Sequence, residues 1–112
     1  MNDDLLPFQR LEVYKFAKQL ARRVHEAAIR DAELRDQATR ASKSTFLGPC
    51  EGLPSDSSGV RRRHFEIANN SLHEVIGAVD LAETIGVVDA GLAREILGLA
   101  VSVKAMIRRL PR

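Results

Sequence analysis

Residues 89–111 read DAGLAREILGLAVSVKAMIRRLP, and the spacing of their apolar side chains decides the fold class. Leu92, Ile96, Leu99, Val103, Met106 and Leu110 recur at steps of 4, 3, 4, 3 and 4, the signature of one stripe on an α-helix. Arg94, Glu95, Ser102, Lys104 and Arg108 fall off that stripe. Asp89 suits the N-cap and Pro111 follows the last apolar residue, so the spacing predicts an amphipathic helix over 89–110.

Working upstream, Phe65, Ala68, Leu72, Val75, Val79 and Ala82 form a second stripe, widened by Ile76 and Ile85, with Gly86 placed to end the helix in a left-handed conformation. A helix over 60–85 is expected, and its very short link to the last helix makes the two antiparallel. At the front, Phe8, Leu11, Tyr14, Ala17, Leu20 or Ala21, Val24 and Ala28 predict a helix over 8–29, with Pro7 acceptable at its start. A weaker pattern, Leu34, Ala38, Ala41 and Thr45 after Asp31 as N-cap, predicts one over 32–48. Its small core face lets partner helices approach closely, which places it inside the assembly. Gly48 and Pro49 should kink or end that helix near residues 46 to 52. No strand alternation and no internal repeat occurs. The expectation is one all-α domain over 1–112, an antiparallel up-down-up-down four-helix bundle.

Composition agrees with this. In 112 residues, 45% hydrophobic and 29% charged, there is room for one globular core. Aromatic content is 4% with no tryptophan, so Leu, Ile, Val and Ala must fill the interior. A chain this small gains from self-association as a further source of burial. Cys50 is the one cysteine, and the opening MNDDLLPF is acidic and short, unlike a secretory leader; a cytoplasmic setting is the expectation. No apolar run approaches the roughly 20 residues that a membrane-spanning helix needs.

Three stretches carry a resemblance. FQRLEVYKFA at 8–17, RASKSTFLGPCEG at 40–52 and HFEIANNSLHEV at 64–75 resemble the four-helix-bundle proteins encoded in intervening sequences of bacterial large-subunit ribosomal RNA genes. The same superfamily includes the accessory variability protein of diversity-generating retroelements. Leu11, Val13 and Tyr14 match the front motif; Arg40, Ser44, Glu51 and Gly52 match the end of helix two; Phe65, Ala68, Ser71, Leu72 and Glu74 match helix three. The resemblance implies a ring-like homo-oligomer, commonly a pentamer, and no catalytic chemistry. For the retroelement branch it implies a basic oligomer that binds nucleic acid and partners a reverse transcriptase. One departure is visible: the family usually reads Asn-Ile-Ala-Glu-Gly where this chain has Gly48-Pro49-Cys50-Glu51-Gly52.

The formal net charge of +2 is too small to argue for nucleic acid by itself, but antiparallel helices would sort the charges into two ends. Arg10, Lys43, Arg61, Arg62, Arg63, Arg108, Arg109 and Arg112 would gather at one end, against Asp3, Asp4, Glu51, Asp56 and Glu66; the other would hold Glu26, Asp31, Glu33, Asp80, Glu83 and Asp89, against Arg30 and Arg35. These eight cations are the candidate nucleic-acid-binding residues. Arg108, Arg109 and Arg112 also have a structural reading, since cations near a helix C-terminus gain about 0.3–1 kcal/mol from the dipole. Arg61, Arg62 and Arg63 oppose the dipole of the helix they open, which leaves phosphate contact or ion pairs within or between subunits as their reason. Lys15, Lys18 and Arg22 form a further basic stripe, read as solvation of helix one.

Catalytic patterns are missing. None of His25, His64 and His73 has a glutamate three residues before it, Cys50 with His64 and His73 fits no zinc spacing, and Gly48 to Gly59 lacks the Walker arrangement. Cys50 reads as a small buried apolar group, and Glu51 and Glu74 as interhelix hydrogen-bond partners. The sequence therefore points to a non-enzymatic interaction module without metal or cofactor, its partners being further copies of itself, RNA or DNA, or a reverse transcriptase. A structural or protein-binding scaffold is the alternative.

Overall fold

The computed structural model describes residues 6–112. A short 3-10 helix at Pro7–Arg10 precedes four α-helices: α1 (Glu12–Glu26), α2 (Ala32–Gly52), α3 (Ser58–Thr84) and α4 (Ala90–Arg108). Among the described residues there is no strand, and no helix is long and apolar enough to cross a membrane. Helix α1 packs on α2 and α4, and α3 packs on α2 and α4; the α2–α3 interface is the most extensive.

The helix ends have local causes. Asp31, Ser57 and Asp89 each accept a hydrogen bond from the backbone N–H three residues on, satisfying a donor with no partner inside the helix. Gly86 has φ 76°, and the N–H groups of Gly86 and Val87 donate to the carbonyls of Glu83 and Ala82, a Schellman ending at the glycine the sequence marks. Helix α1 covers less than the expected 8–29. Leu11 is extended and divides the 3-10 turn from α1, and Ala28 takes φ 47°, which no right-handed helix tolerates. The turn carries Ile29 into the core, and Arg30 then bridges to the α3–α4 link through its N–H to the Val87 carbonyl at 2.9 Å and its guanidinium to the Gly86 carbonyl at 2.8 Å.

Helix α2 runs four residues past the expected end at 48 and carries Pro49 inside its last turn. Proline there removes the bond to the Thr45 carbonyl and crowds it. The buried ring offsets part of that cost. Helix α3 starts at Ser58 rather than 60, and Ile85, expected on its apolar face, is 52% exposed at the C-cap.

The core follows the expected stripes with shifts in α1 and α4: in α1 Val13 is buried in place of Leu11, which is exposed at the break before the helix, and Ala28 is exposed in the turn after it. Val13, Ala17, Leu20 and Val24 of α1, Leu34, Ala38, Ala41 and Thr45 of α2, and Phe65, Ala68, Leu72, Val75, Val79 and Ala82 of α3 are buried. In α4 the innermost line is Ala93, Ile96, Ala100, Val103 and Ile107, while Leu92, Leu99, Met106 and Leu110 cover its edge. Alanines at the centre let α4 come close, and the larger side chains of the expected stripe then fit only at the rim. Tyr14 packs between Phe8 and Phe46, at ring-centroid distances of 6.0 and 5.1 Å.

The α2–α3 contact is closest at Gly48 and Gly52. A Cβ on Gly48 would lie 2.7 Å from the Ala68 Cβ and 2.8 Å from the His64 carbonyl oxygen; one on Gly52 would meet the His64 Cβ and the Phe65 ring at 3.0 Å. Beside this contact Ser71 and Ser44 join hydroxyls at 2.8 Å. Gly48→Ala should therefore lower stability by about 1–3 kcal/mol despite its better helix propensity, because backbone must move. Gly98→Ala, with open space at its Cβ, should gain up to about 1 kcal/mol. Thermal melts followed by circular dichroism check both signs.

Candidate functional site

The start of α3 and the chain after α4 meet at one end of the molecule. Arg61 makes the junction: its guanidinium donates to the Ser55 carbonyl at 2.7 Å and to the main-chain oxygen of Arg112 at 3.4 Å. Arg112 turns back, its guanidinium 5.6 Å from the centroid of the Phe65 ring and donating to the Ile107 carbonyl at 3.5 Å. Of the arginine triplet, Arg61 is thus held by main-chain oxygens, while Arg62 and Arg63 are exposed. Because α3 begins at Ser58, Arg62 and Arg63 sit in its second turn, where the dipole opposes them less than the sequence reading supposed.

The other candidates divide. Arg108, in the last turn of α4, and Arg109, its C-cap, are both exposed; Arg108 and Arg112 border a groove between α3 and α4. Lys43 lies elsewhere, lining a groove between α2 and α3 with Arg40, Leu47 and His64. The side chain of Arg10 lies outside the described residues, as do Asp3 and Asp4. Lys104, Asn69 and Asn70 line the α3–α4 groove and were not singled out from the sequence. Their signal was present in part: Lys104 and Arg108 are four apart, hence on one face of a helix.

Ion pairing differs between the ends. Glu26 pairs with Arg22 and Arg23, Arg23 reaches Glu95 at 3.0 Å, and Glu83 pairs with Arg94 at 3.4 Å. Asp31 and Asp89 are taken up as caps. Among the described residues no carboxylate pairs with Arg61, Arg62, Arg63, Arg108, Arg109 or Arg112. Glu51 instead lies 3.5 Å from the His64 ring, an ion pair only when that imidazole is protonated. Among the described residues, Arg62, Arg63, Arg108 and Arg109 thus form an exposed group of cations without a carboxylate partner near the Arg61–Arg112 junction.

The surroundings of Cys50 do not activate its thiol. Burial, aided by the neighbouring Glu51 charge, pushes the Cys50 thiol above its ordinary range, which disfavours the reactive thiolate. Among the described residues no three His, Cys, Asp or Glu side chains cluster to hold a metal.

Two outcomes follow from this arrangement. Arg61→Ala should cost about 1 kcal/mol, the value of a partly exposed charged hydrogen bond, whereas Arg62→Ala and Arg63→Ala should leave the melting temperature unchanged. Cys50 should alkylate with iodoacetamide more slowly than a free small-molecule thiol at mildly alkaline pH, and catch up only in denaturant or at higher pH, as read by mass spectrometry.

Residues 9–109 match the family of 23S rRNA-intervening sequence proteins. No curated protein matches the chain.

Proposed function

The chain belongs to the 23S rRNA-intervening sequence protein family, and from that premise we propose that it is a non-enzymatic interaction module that binds nucleic acid at its basic end. In this reading the four helices run up-down-up-down and several copies, five in the form the resemblance implies, close into a ring. Each copy then presents Arg62, Arg63, Arg108 and Arg109 to a nucleic-acid backbone, or to a nucleic-acid enzyme such as a reverse transcriptase that carries one.

The observation that carries the reading is the charge asymmetry. Toward the far end Arg22, Arg23 and Arg94 pair with carboxylates and Arg30 and Arg35 are held by main-chain carbonyls, whereas among the described residues Arg62, Arg63, Arg108 and Arg109 have neither kind of partner. Unpaired, exposed arginines contribute nothing to folding by pairing, and phosphate is the ligand that their charge and forked geometry suit. Self-association is supported by a different surface. Leu47 and Ile67, 47% and 42% exposed, line the α2–α3 groove, and Val60 extends the same face of α3 at helical spacing. Another copy covering that apolar strip would leave Arg62, Arg108 and Arg109 free, with Arg63, three residues after Val60 and four before Ile67, at its border. The scaffold alternative uses the same strip but turns the arginines toward neighbouring subunits.

Fluorescence anisotropy with short labelled RNA and DNA at two salt concentrations tests this, with light scattering for assembly size. Arg62→Ala/Arg63→Ala should weaken binding and flatten its salt dependence by about 1.4 in log–log slope for a single strand, with assembly size unchanged. A smaller assembly in that variant would favour the scaffold.

A further inference from the structure

We propose that the groove between α3 and α4 holds a single strand of nucleic acid, with phosphates on the α4 side and base or sugar donors on the α3 side. This rests on the nucleic-acid reading above but moves the seat of binding from the arginine triplet to a groove of about 520 Å³.

The two walls differ in chemistry. From α4 and the chain beyond it come Lys104, Arg108 and Arg112, all cationic; from α3 come Glu66, Asn69 and Asn70, which supply acceptors and amide N–H groups. Lys104 and Arg108 are one turn apart, about 6 Å along the helix axis, a spacing at which each can engage its own phosphate of a chain. A chain of phosphates suits them. Lys104 contacts the His73 Nε2 at 3.0 Å, and among the described residues no carboxylate pairs with any of the three cations. Arg112 is anchored over Phe65 and so positioned. Arg62, one turn before Glu66, continues the α3 face of the groove toward the basic end.

The α3 wall explains why the ligand is a nucleotide chain rather than any polyanion. The Asn69 Oδ1 is buried and has no hydrogen-bond partner, the one such buried side-chain atom among the described residues. An unsatisfied buried acceptor costs about 1–3 kcal/mol, a cost that a rotation of the Asn69 amide toward a donor in the groove would relieve. Unpaired bases and ribose offer such donors beside a phosphate; acidic peptides and lipid phosphates lack that base-edge pattern. Glu66 would repel a plain anion, yet it accepts from an exocyclic amine such as that of cytosine. In a duplex the remaining N–H of such an amine lies within the major groove, whereas the unstacked bases of a single strand can splay out and bring their edges to Glu66 and Asn69.

The test compares binding of single-stranded RNA, DNA of the same sequence, and duplex to the intact protein. Lys104→Ala/Arg108→Ala should weaken single-strand binding about tenfold and lower the salt slope by about 1.4, while duplex binds weakly to all variants. Asn69→Ala should weaken binding with the salt slope unchanged. In the unaltered protein, the side-chain amide resonances of Asn69 and Asn70 should shift on adding oligonucleotide, a readout that needs no variant to fold. Wild-type binding by Lys104→Ala/Arg108→Ala, unmoved amide resonances, or equal displacement by polyglutamate would each overturn the groove. If only Arg62→Ala/Arg63→Ala loses binding, the basic end stands and the groove falls; if the unaltered protein binds no oligonucleotide, both fall.

Discussion

The close approach of α2 to α3 is the contact on which the rest of this molecule depends. Gly48 and Gly52 allow α2 to touch the backbone and side chains of His64, Phe65 and Ala68, with no space for a methyl group at either position. Phe65 can then be fully buried, and Ala38, Ala41 and Thr45 can fill the seam above it with small groups. Helix α3 is the longest element and packs on both α2 and α4, so its placement sets where its arginines and asparagines emerge. Pro49 costs the bond to the Thr45 carbonyl, and burial of its ring beside this contact offsets part of that cost.

From that placement follows the division of labour among the cations. Arg61 is spent on main-chain oxygens and ties the entry of α3 to the chain after α4. Arg112, brought beside Phe65 by the same junction, becomes one end of the α3–α4 groove. At the far end the backbone of Arg30 and its guanidinium bind the α3–α4 link, and Glu26, Glu83 and Glu95 find arginine partners. Arginines toward the far end thus have partners within the chain, and among the described residues Arg62, Arg63, Arg108 and Arg109 have none. Exposed ion pairs add little to stability, so this difference bears on what approaches the surface rather than on how firmly the chain folds.

Much of the fold was legible because helix formation leaves local marks. The N-caps Asp31 and Asp89, the Gly86 ending and most of the apolar faces of α1, α2 and α3 are visible as spacing and residue type, whereas the Ser57 cap emerges only from the structure. The errors lie where a neighbour overrides spacing. Ala28 looked like a continuation of α1, but burial of Ile29 turns the chain there; Ile85 looked like core, but it sits at a helix end with nothing above it. In α4 two adjacent stripes are both apolar, and only the distance to its partners decides that Ala93, Ala100 and Ile107 go inside.

By itself, then, the sequence determined that four helices form, roughly where each begins and ends, and which face of each is apolar, because period, caps and breakers act within a few residues. It could name the arginines but not sort them. Only the tertiary structure decided that Arg61 is consumed by the backbone, that Lys43 faces a different groove from Arg108, and that Lys104, Asn69 and Asn70 share one with it. That sorting depends on how closely and at what rotation the helices pack, which is set by the volumes of side chains far apart in the chain.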